Sequence, residues 1–308
     1  MKRAGIALTA GWVLLVAGAA ALAQNGGAVT PAPVPMRVAH ADVVVVGNLG
    51  KLESKTVSAA LLHPATPHAG PMPKFDFHVL ELKVEEELRG AKKGDVIRFG
   101  FAPPRPRPDG PGPEPGKSNG APYATGQECL FFLTRHHHES FQVCWPSWDS
   151  CIDKKADNYA RDLKLARRCA KLWEDPMAGL KAKDAEDRLL SAGMLIYRYR
   201  HYEPGRFGPE TEAIPADESR RILNILADAD WPTKVAPASS IPYEMTAGWL
   251  FTQLDVSFKD GWLSPDGGFD ALFAAGKQWV KTHANTYRIK RFVPFAAAKP
   301  DPRDKKKQ

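Results

Sequence analysis

Apolar and polar residues alternate in short β-rich runs through the first half of the chain and recur at helical spacing through the second, with the change near residue 149. Five runs predict strands: Asp42 to Gly47, Phe75 to Leu88, Val96 to Phe99, Cys129 to Leu133 and Ser140 to Val143. In the second run the apolar set is Phe75, Phe77 and Val79, and then changes parity to Leu80, Leu82 and Val84. Such a phase change is expected of a β-bulge, which bends a long strand around a small barrel. Two stretches, 63–74 and 102–126, interrupt the strands, and the second holds eight prolines in twenty-five residues. Proline donates no ladder hydrogen bond, so neither stretch is sheet interior; 102–126 reads as an inserted surface loop with polyproline character from Pro103 to Pro108.

From residue 149 the rhythm is helical. Tyr159, Leu163, Ala166, Ala170 and Trp173 share one face of a helix that must stop at Pro176, and Ala185, Leu189, Ala192, Ile196 and Tyr199 repeat the pattern. A third helix begins near Pro215, carries Asp217 and Glu218 in its first turn and runs to about Asp230. A fourth is expected over 242–254 and a fifth over 269–283, followed by extended chain from Tyr287 to Phe295. Five of the eight tryptophans lie in this half, enough large apolar surface for a core. The expected fold class is α+β in two domains: a five-stranded β-barrel over 37–148, then an all-α domain of about five helices over 149–297.

The chain ends change the picture. Met1-Lys2-Arg3, an apolar stretch to Ala20 and the small residues Ala21 and Ala23 form an export signal over 1–23, with cleavage expected between Ala23 and Gln24. No later apolar stretch is long enough to span a bilayer, so the expected product is exported, periplasmic or extracellular, with no transmembrane segment after cleavage. Residues 24–36 are rich in Gly, Ala and Pro and read as a flexible leader, and 298–308 as a disordered basic tail. The net charge of +7 becomes +5 without Lys2 and Arg3, and the tail, with five basic and two acidic residues, holds most of the rest. A nearly balanced body lacks the one-sided field that phosphate binding needs, which excludes nucleic acid as a partner. In an exported chain Cys129, Cys144, Cys151 and Cys169 are expected to form two disulfides, and sequence proximity favours Cys129 with Cys144 and Cys151 with Cys169.

Candidate chemistry is sparse. His136-His137-His138-Glu139 supplies ligand types for a metal at a hairpin tip, yet neighbouring side chains of extended chain point to opposite faces, so His136 and His138 are the two that could converge. Asp266 and Asp270, with Asp260, flank Gly267-Gly268 as calcium candidates; their spacing does not fit an EF-hand, and a helix-capping role for Asp266 is simpler. The run from Tyr197 to Tyr202 alternates aromatic and cationic side chains suited to polysaccharide, although Tyr199 belongs to a buried stripe. No nucleophile elbow, zinc-protease helix, phosphate loop or dinucleotide fingerprint is present, so no residue is assigned to catalysis, to a metal or to a cofactor.

In its order of features the first half resembles a known family. Ala41-Asp42 opens a valine strand ending in Gly47, a long strand ends in Glu87-Leu88-Arg89-Gly90, Gly94-Asp95-Val96-Ile97 starts the next, and Gly126-Gln127-Glu128 precedes an aromatic strand. Residues 37–145 are in this respect similar to the TIMP/netrin-like modules, the barrel shared by tissue inhibitors of metalloproteinases and netrins. The resemblance implies an OB-type barrel used for binding. Inhibitory members chelate the target's zinc through an amino-terminal Cys; Gln24 stands at the expected mature terminus, so that mechanism is not implied. Beyond residue 150 the chain resembles only uncharacterised exported bacterial proteins, which implies no activity. The expected function is therefore non-catalytic binding of a protein or an envelope polysaccharide. The alternatives are an exported hydrolase with an inter-domain active site and a structural envelope protein.

Overall fold

Val43 to Val46 are four β-branched residues in a row, and a strand buried on both faces is the structure that uses such a run. A computed structural model of the chain describes residues 31–60, 74–102, 123–138, 140–146, 151–201, 207–234 and 241–294. In it the run opens strand β1 (Val43–Leu52), which follows helix α1 (Val34–His40). Next come β2 (Val57–Ala60), β3 (Lys74–Arg89), β4 (Val96–Phe101), β5 (Glu128–Arg135), β6 (Gln142–Cys144) and β7 (Ile152–Asp153). Strands β1, β3, β4, β6 and β5 are neighbours in that order, and β5 pairs again with β1, so five strands close a barrel. β2 adds to β3 and β7 to β5.

Two-residue periodicity then assigns the buried apolar side chains of β1 and β5 to one of two cores. Val43, Val45 and Leu49, with Cys129, Phe131 and Leu133, fill the barrel together with Leu80, Leu82, Val84 and Phe99. Val44 and Val46, with Leu130 and Phe132, face outward into a second core made largely by the helices. The register agrees, since Val44 lies opposite Phe132 and Val45 opposite Phe131.

The parity change in β3 has a different cause from the bulge expected there. From His78 to Lys83 the β3–β4 ladder is regular. Phe77 and Val79 pack with Ala59 and Phe141 in a small cluster outside the barrel, whereas Leu80, Leu82 and Val84 point into it. The apolar set thus changes faces because each end of the strand is covered on a different side. Register shifts do occur along β1–β3, between Val44 and Val45, Val46 and Gly47, and Leu49 and Leu52. After β3 the chain turns at Gly90, with φ of 79°, where a Cβ would stand 2.3 Å from the Asp42 carbonyl oxygen. Only glycine combines that dihedral with so close an approach.

The second half contains α2 (Tyr159–Glu174), α3 (Pro176–Gly179), α4 (Ala185–Arg200), β8 (Phe207–Ala213), α5 (Ala216–Asp228), α6 (Ala247–Thr252), α7 (Phe269–His283) and β9 (Lys290–Pro294). The described chain is thus α+β: a five-stranded barrel plus seven α-helices, six of them after the barrel, with β8 and β9 pairing as an antiparallel ribbon. α4 is the axis of the helical part. Every residue from Leu189 to Tyr197 is buried, so it is enclosed on all sides and not along the single stripe its sequence suggests. Its start is fixed by the Asp184 carboxylate, which accepts from the Asp187 N–H at 2.9 Å. Arg168 of α2 meets Asp184, Glu186 and Asp187 at 2.9, 2.9 and 2.6 Å, joining two helices at the end where acidic residues suit the dipole.

The helix expected over 242–254 is interrupted. A 3₁₀ turn (Tyr243–Met245) and α6 are separated by Thr246, whose ψ of 150° is extended and whose hydroxyl donates to the Tyr243 carbonyl at 2.7 Å. α1 begins at Val34, inside the stretch expected to be a leader, and Val34, Val38 and Ala39 are buried in the helical core. Arg89 of β3 ties down its C-terminal end, donating to the carbonyls of Val38 at 3.1 Å and Ala41 at 2.8 Å. No described helix is long and apolar enough to cross a membrane. The expected signal at 1–23, the tail at 298–308 and most of the proline-rich 102–126 lie outside the described residues.

Candidate functional site

The histidines sit at the β5–β6 hairpin tip, where the His136 and His137 rings lie 4.1 Å apart. His136 is 5% exposed, with its ring stacked on Phe141 at 4.6 Å and tilted against Phe77 at 5.0 Å. Its Nδ1 accepts from the His138 N–H at 3.1 Å. His138 instead pairs its Nδ1 with the Ser140 hydroxyl at 2.8 Å. Burial, reinforced by His137 and His138, lowers the His136 pKa to about 4, with the Ala60 carbonyl acting in the opposite direction. Such a ring serves as a neutral aromatic in a small apolar cluster.

That placement has a measurable consequence. The unfolded chain protonates His136 near pH 6.5 and the folded one only near 4, so its contribution to stability is present above pH 6.5 and is lost as pH falls toward 4. Between pH 7 and pH 4.5 the wild type is expected to lose about 1–3 kcal/mol more than His136→Phe, as read from urea midpoints. Equal losses in the two proteins would remove the assignment.

Around Gly267 the calcium reading gains no support. Gly267 takes a φ of 123°, Gly268 stands at the N-cap position just before α7, and no side chain caps that end, so Asp266 does not have the capping role expected of it. Asp270 lies in the first helical turn. Among the described residues, no group of three His, Cys, Asp or Glu side chains is placed to hold a metal ion.

All four cysteines are buried free thiols, and neither expected bridge is formed. The register explains why. Leu133 lies opposite Cys144, so Cys129 is four residues along β5 from that pairing, roughly 13 Å. Cys169 belongs to α2 and the helical core, whereas Cys151 belongs to the barrel core. Proximity in sequence thus paired two thiols at different positions along β5 in one case and thiols of two different cores in the other.

Several of the described carboxylates are partners of arginine. Glu53 meets Arg98 and Glu86 meets Arg167, each through two hydrogen bonds at 2.7 Å, and both carboxyls are held below their ordinary pKa by those bonds. Where barrel and helices meet, His40 stacks on Trp145 at 4.1 Å, and His201 packs edge-on against both rings. His40 Nε2 lies 3.2 Å from the Tyr197 carbonyl, the geometry of a ring N–H donating to the backbone. This is aromatic packing at a seam.

One feature that no sequence signal announced lies between α6 and α7. Phe258, Leu263 and Phe269 are 78%, 70% and 54% exposed, three of the five exposed large apolar residues among those described. The first sits on a turn that is locked in place. The Asp260 carboxylate accepts from the Ser257 N–H at 3.0 Å and its hydroxyl at 2.7 Å. The Ser257 carbonyl accepts from the Asp260 N–H at 2.9 Å and the Trp262 N–H at 3.1 Å, and Gly261 closes the turn with a φ of 75°. From beneath, the Trp279 indole donates to the Asp260 carbonyl at 3.2 Å, and Trp262 packs edge-on against Phe251 at 4.9 Å. Ser257 and Asp260 at i and i+3 form a capping box, which reading for long helices passes over.

No protein-family model matches the chain. No curated protein is significantly similar to it either. The closed barrel is compatible with an OB-type module, while no family or homologue match supports the resemblance to the TIMP/netrin-like group. The Tyr–Arg run that suggested polysaccharide is largely internal: Tyr197 is 5% exposed and donates to the Glu244 carbonyl at 2.9 Å, and Tyr199 bonds the Glu218 carboxylate. Tyr202 lies outside the described residues.

Proposed function

We propose that this chain is an exported, non-catalytic binding protein that engages another protein through Phe258, with Leu263 and Phe269 exposed in the same stretch of chain. The observation that carries the reading is the combination, at Phe258, of 78% exposure with a backbone held by four hydrogen bonds between Ser257 and Trp262. An exposed aromatic on a mobile loop loses affinity to ordering, whereas one on a locked turn meets a pocket with its entropy cost already removed. Anchors of that kind dominate protein interfaces. A protein partner is favoured over a polysaccharide because sugars stack on exposed Trp and Tyr faces, and the exposed side chains here are Phe and Leu. The OB-type barrel, used for binding in the TIMP/netrin-like modules it resembles, is the platform to which the helices are fixed. Export rests on the charged, apolar and small-residue segments of residues 1–23.

The test begins with a photo-reactive phenylalanine analogue at position 258, used to capture a partner in the source cell's envelope. The purified partner is then titrated against wild type and Phe258→Ser. Affinity is expected to fall roughly tenfold or more with the melting temperature unchanged. Equal affinity, or cross-links to lipid or glycan alone, would sink the reading.

A further inference from the structure

Three of the four cysteines share the inward face of one barrel segment, and the strand register says which two are poised to react. Cys129 lies opposite Asp153 and Leu130 opposite Ile152, which continues to set Cys151 diagonally across from Cys129 on the same face. All three thiols, with Cys144, are buried in the barrel core, and the Cys151 thiol interacts first with Cys129 and only more weakly with Cys144. Cys144 is engaged elsewhere, its sulfur lying 3.6 Å from the Tyr123 hydroxyl. Diagonal neighbours stand roughly 7–8 Å apart at Cα, about 1 Å beyond the usual span of a disulfide. β7 has two residues and lies at the end of the strand order, so a small slide of that strand along β5 closes the gap.

We propose that Cys129 and Cys151 join in a disulfide when the barrel assembles in the presence of a low-molecular-weight disulfide, while Cys144 and Cys169 remain thiols. The Cys151 thiolate attacks one sulfur of the oxidant, forming a mixed disulfide and releasing one small thiolate. The Cys129 thiolate then attacks the Cys151 sulfur, forming the protein bridge and releasing the second. The two protons lost by the cysteines end on the two small thiols, so one protein dithiol is oxidised and one small disulfide reduced. In the finished fold the Cys151 thiol is pushed far above its ordinary pKa, first by Cys129 and then by burial, which starves the attack of thiolate. The bridge therefore forms as β7 pairs with β5, before burial of the thiols is complete. It staples β7 to β5 and encloses the hairpin bearing His136, a role independent of any binding partner.

The full chain, refolded from denaturant with oxidised glutathione, alkylated and mapped by peptide mass spectrometry, provides the test. The expected result is a species lighter by two hydrogens, a linked pair of peptides containing Cys129 and Cys151, alkylation at Cys144 and Cys169, and loss of the link in Cys151→Ser. Four alkylated cysteines, a glutathione adduct alone, or a bridge that includes Cys144 or Cys169 overturns the proposal. The wild-type map decides the matter even if the variant does not fold.

Discussion

Phe132→Ala is expected to lower the free energy of unfolding by about 3–5 kcal/mol, and to do so in one transition that reports on barrel and helices together. Phe132 is 1% exposed and belongs by backbone to β5 of the barrel, yet its ring lies in the core built by the helices, with the Arg37 guanidinium of α1 5.4 Å from its centroid. Removing the ring leaves a cavity at the surface the two parts share, and neither part can refill it alone. Chemical denaturation followed by both tryptophan fluorescence and far-ultraviolet circular dichroism checks the expectation. Five tryptophans lie beyond residue 149, so fluorescence weights the helices. Two separated transitions, with only one moved by the substitution, would show that the shared core does not couple the parts.

The second large effect is expected at Arg200, the last residue of α4. Its side chain is 8% exposed, and its guanidinium donates to the carbonyls of Gln253 at 3.3 Å and Lys290 at 3.4 Å and to the Asp255 carboxylate at 2.8 Å, with the Phe292 ring 5.4 Å away. One side chain thus joins the end of α4, the chain after α6 and strand β9. Arg200→Ala strips partners from two backbone carbonyls and opens a gap over an aromatic ring, which together cost about 2–4 kcal/mol. The ion pair is the smaller part, because Asp255 is 41% exposed and a solvated pair contributes at most about 1 kcal/mol. Asp255 also holds a φ of 57°, a conformation that asparagine tolerates well. Asp255→Asn is therefore expected to change stability by less than about 1 kcal/mol. Thermal melts of the two variants separate the contributions; equal losses would mean that the charge pair and not the carbonyl contacts holds the joint.

Where element and pattern coincide, local physics was sufficient. α2, α4, α5 and α7 begin and end within two residues of the positions expected from apolar spacing and proline, and the five strands of the barrel lie where the β-branched runs lie. What escaped reading is short or depends on a distant partner. α1 has seven residues and no side-chain cap, and it is helical because α2, α4 and Arg89 bury it and tie it down. β7 is a two-residue edge and β8 becomes a strand only by pairing with β9. The site was less legible still. His136 and the aromatics of the Tyr–Arg run have the residue types of ligands, and burial turns them into core. Phe258 has the residue type of core, and its capped turn leaves it in solvent.

By itself, the amino-acid sequence determined the class of each long segment, because backbone periodicity of two or 3.6 residues is written in adjacent side chains. Tertiary structure alone decided which face of each strand meets which core, which thiols are neighbours, and which apolar side chain remains outside. Those outcomes depend on strand register and on contacts between residues far apart in the chain, and a shift of one residue would exchange inside for outside without altering a single local preference.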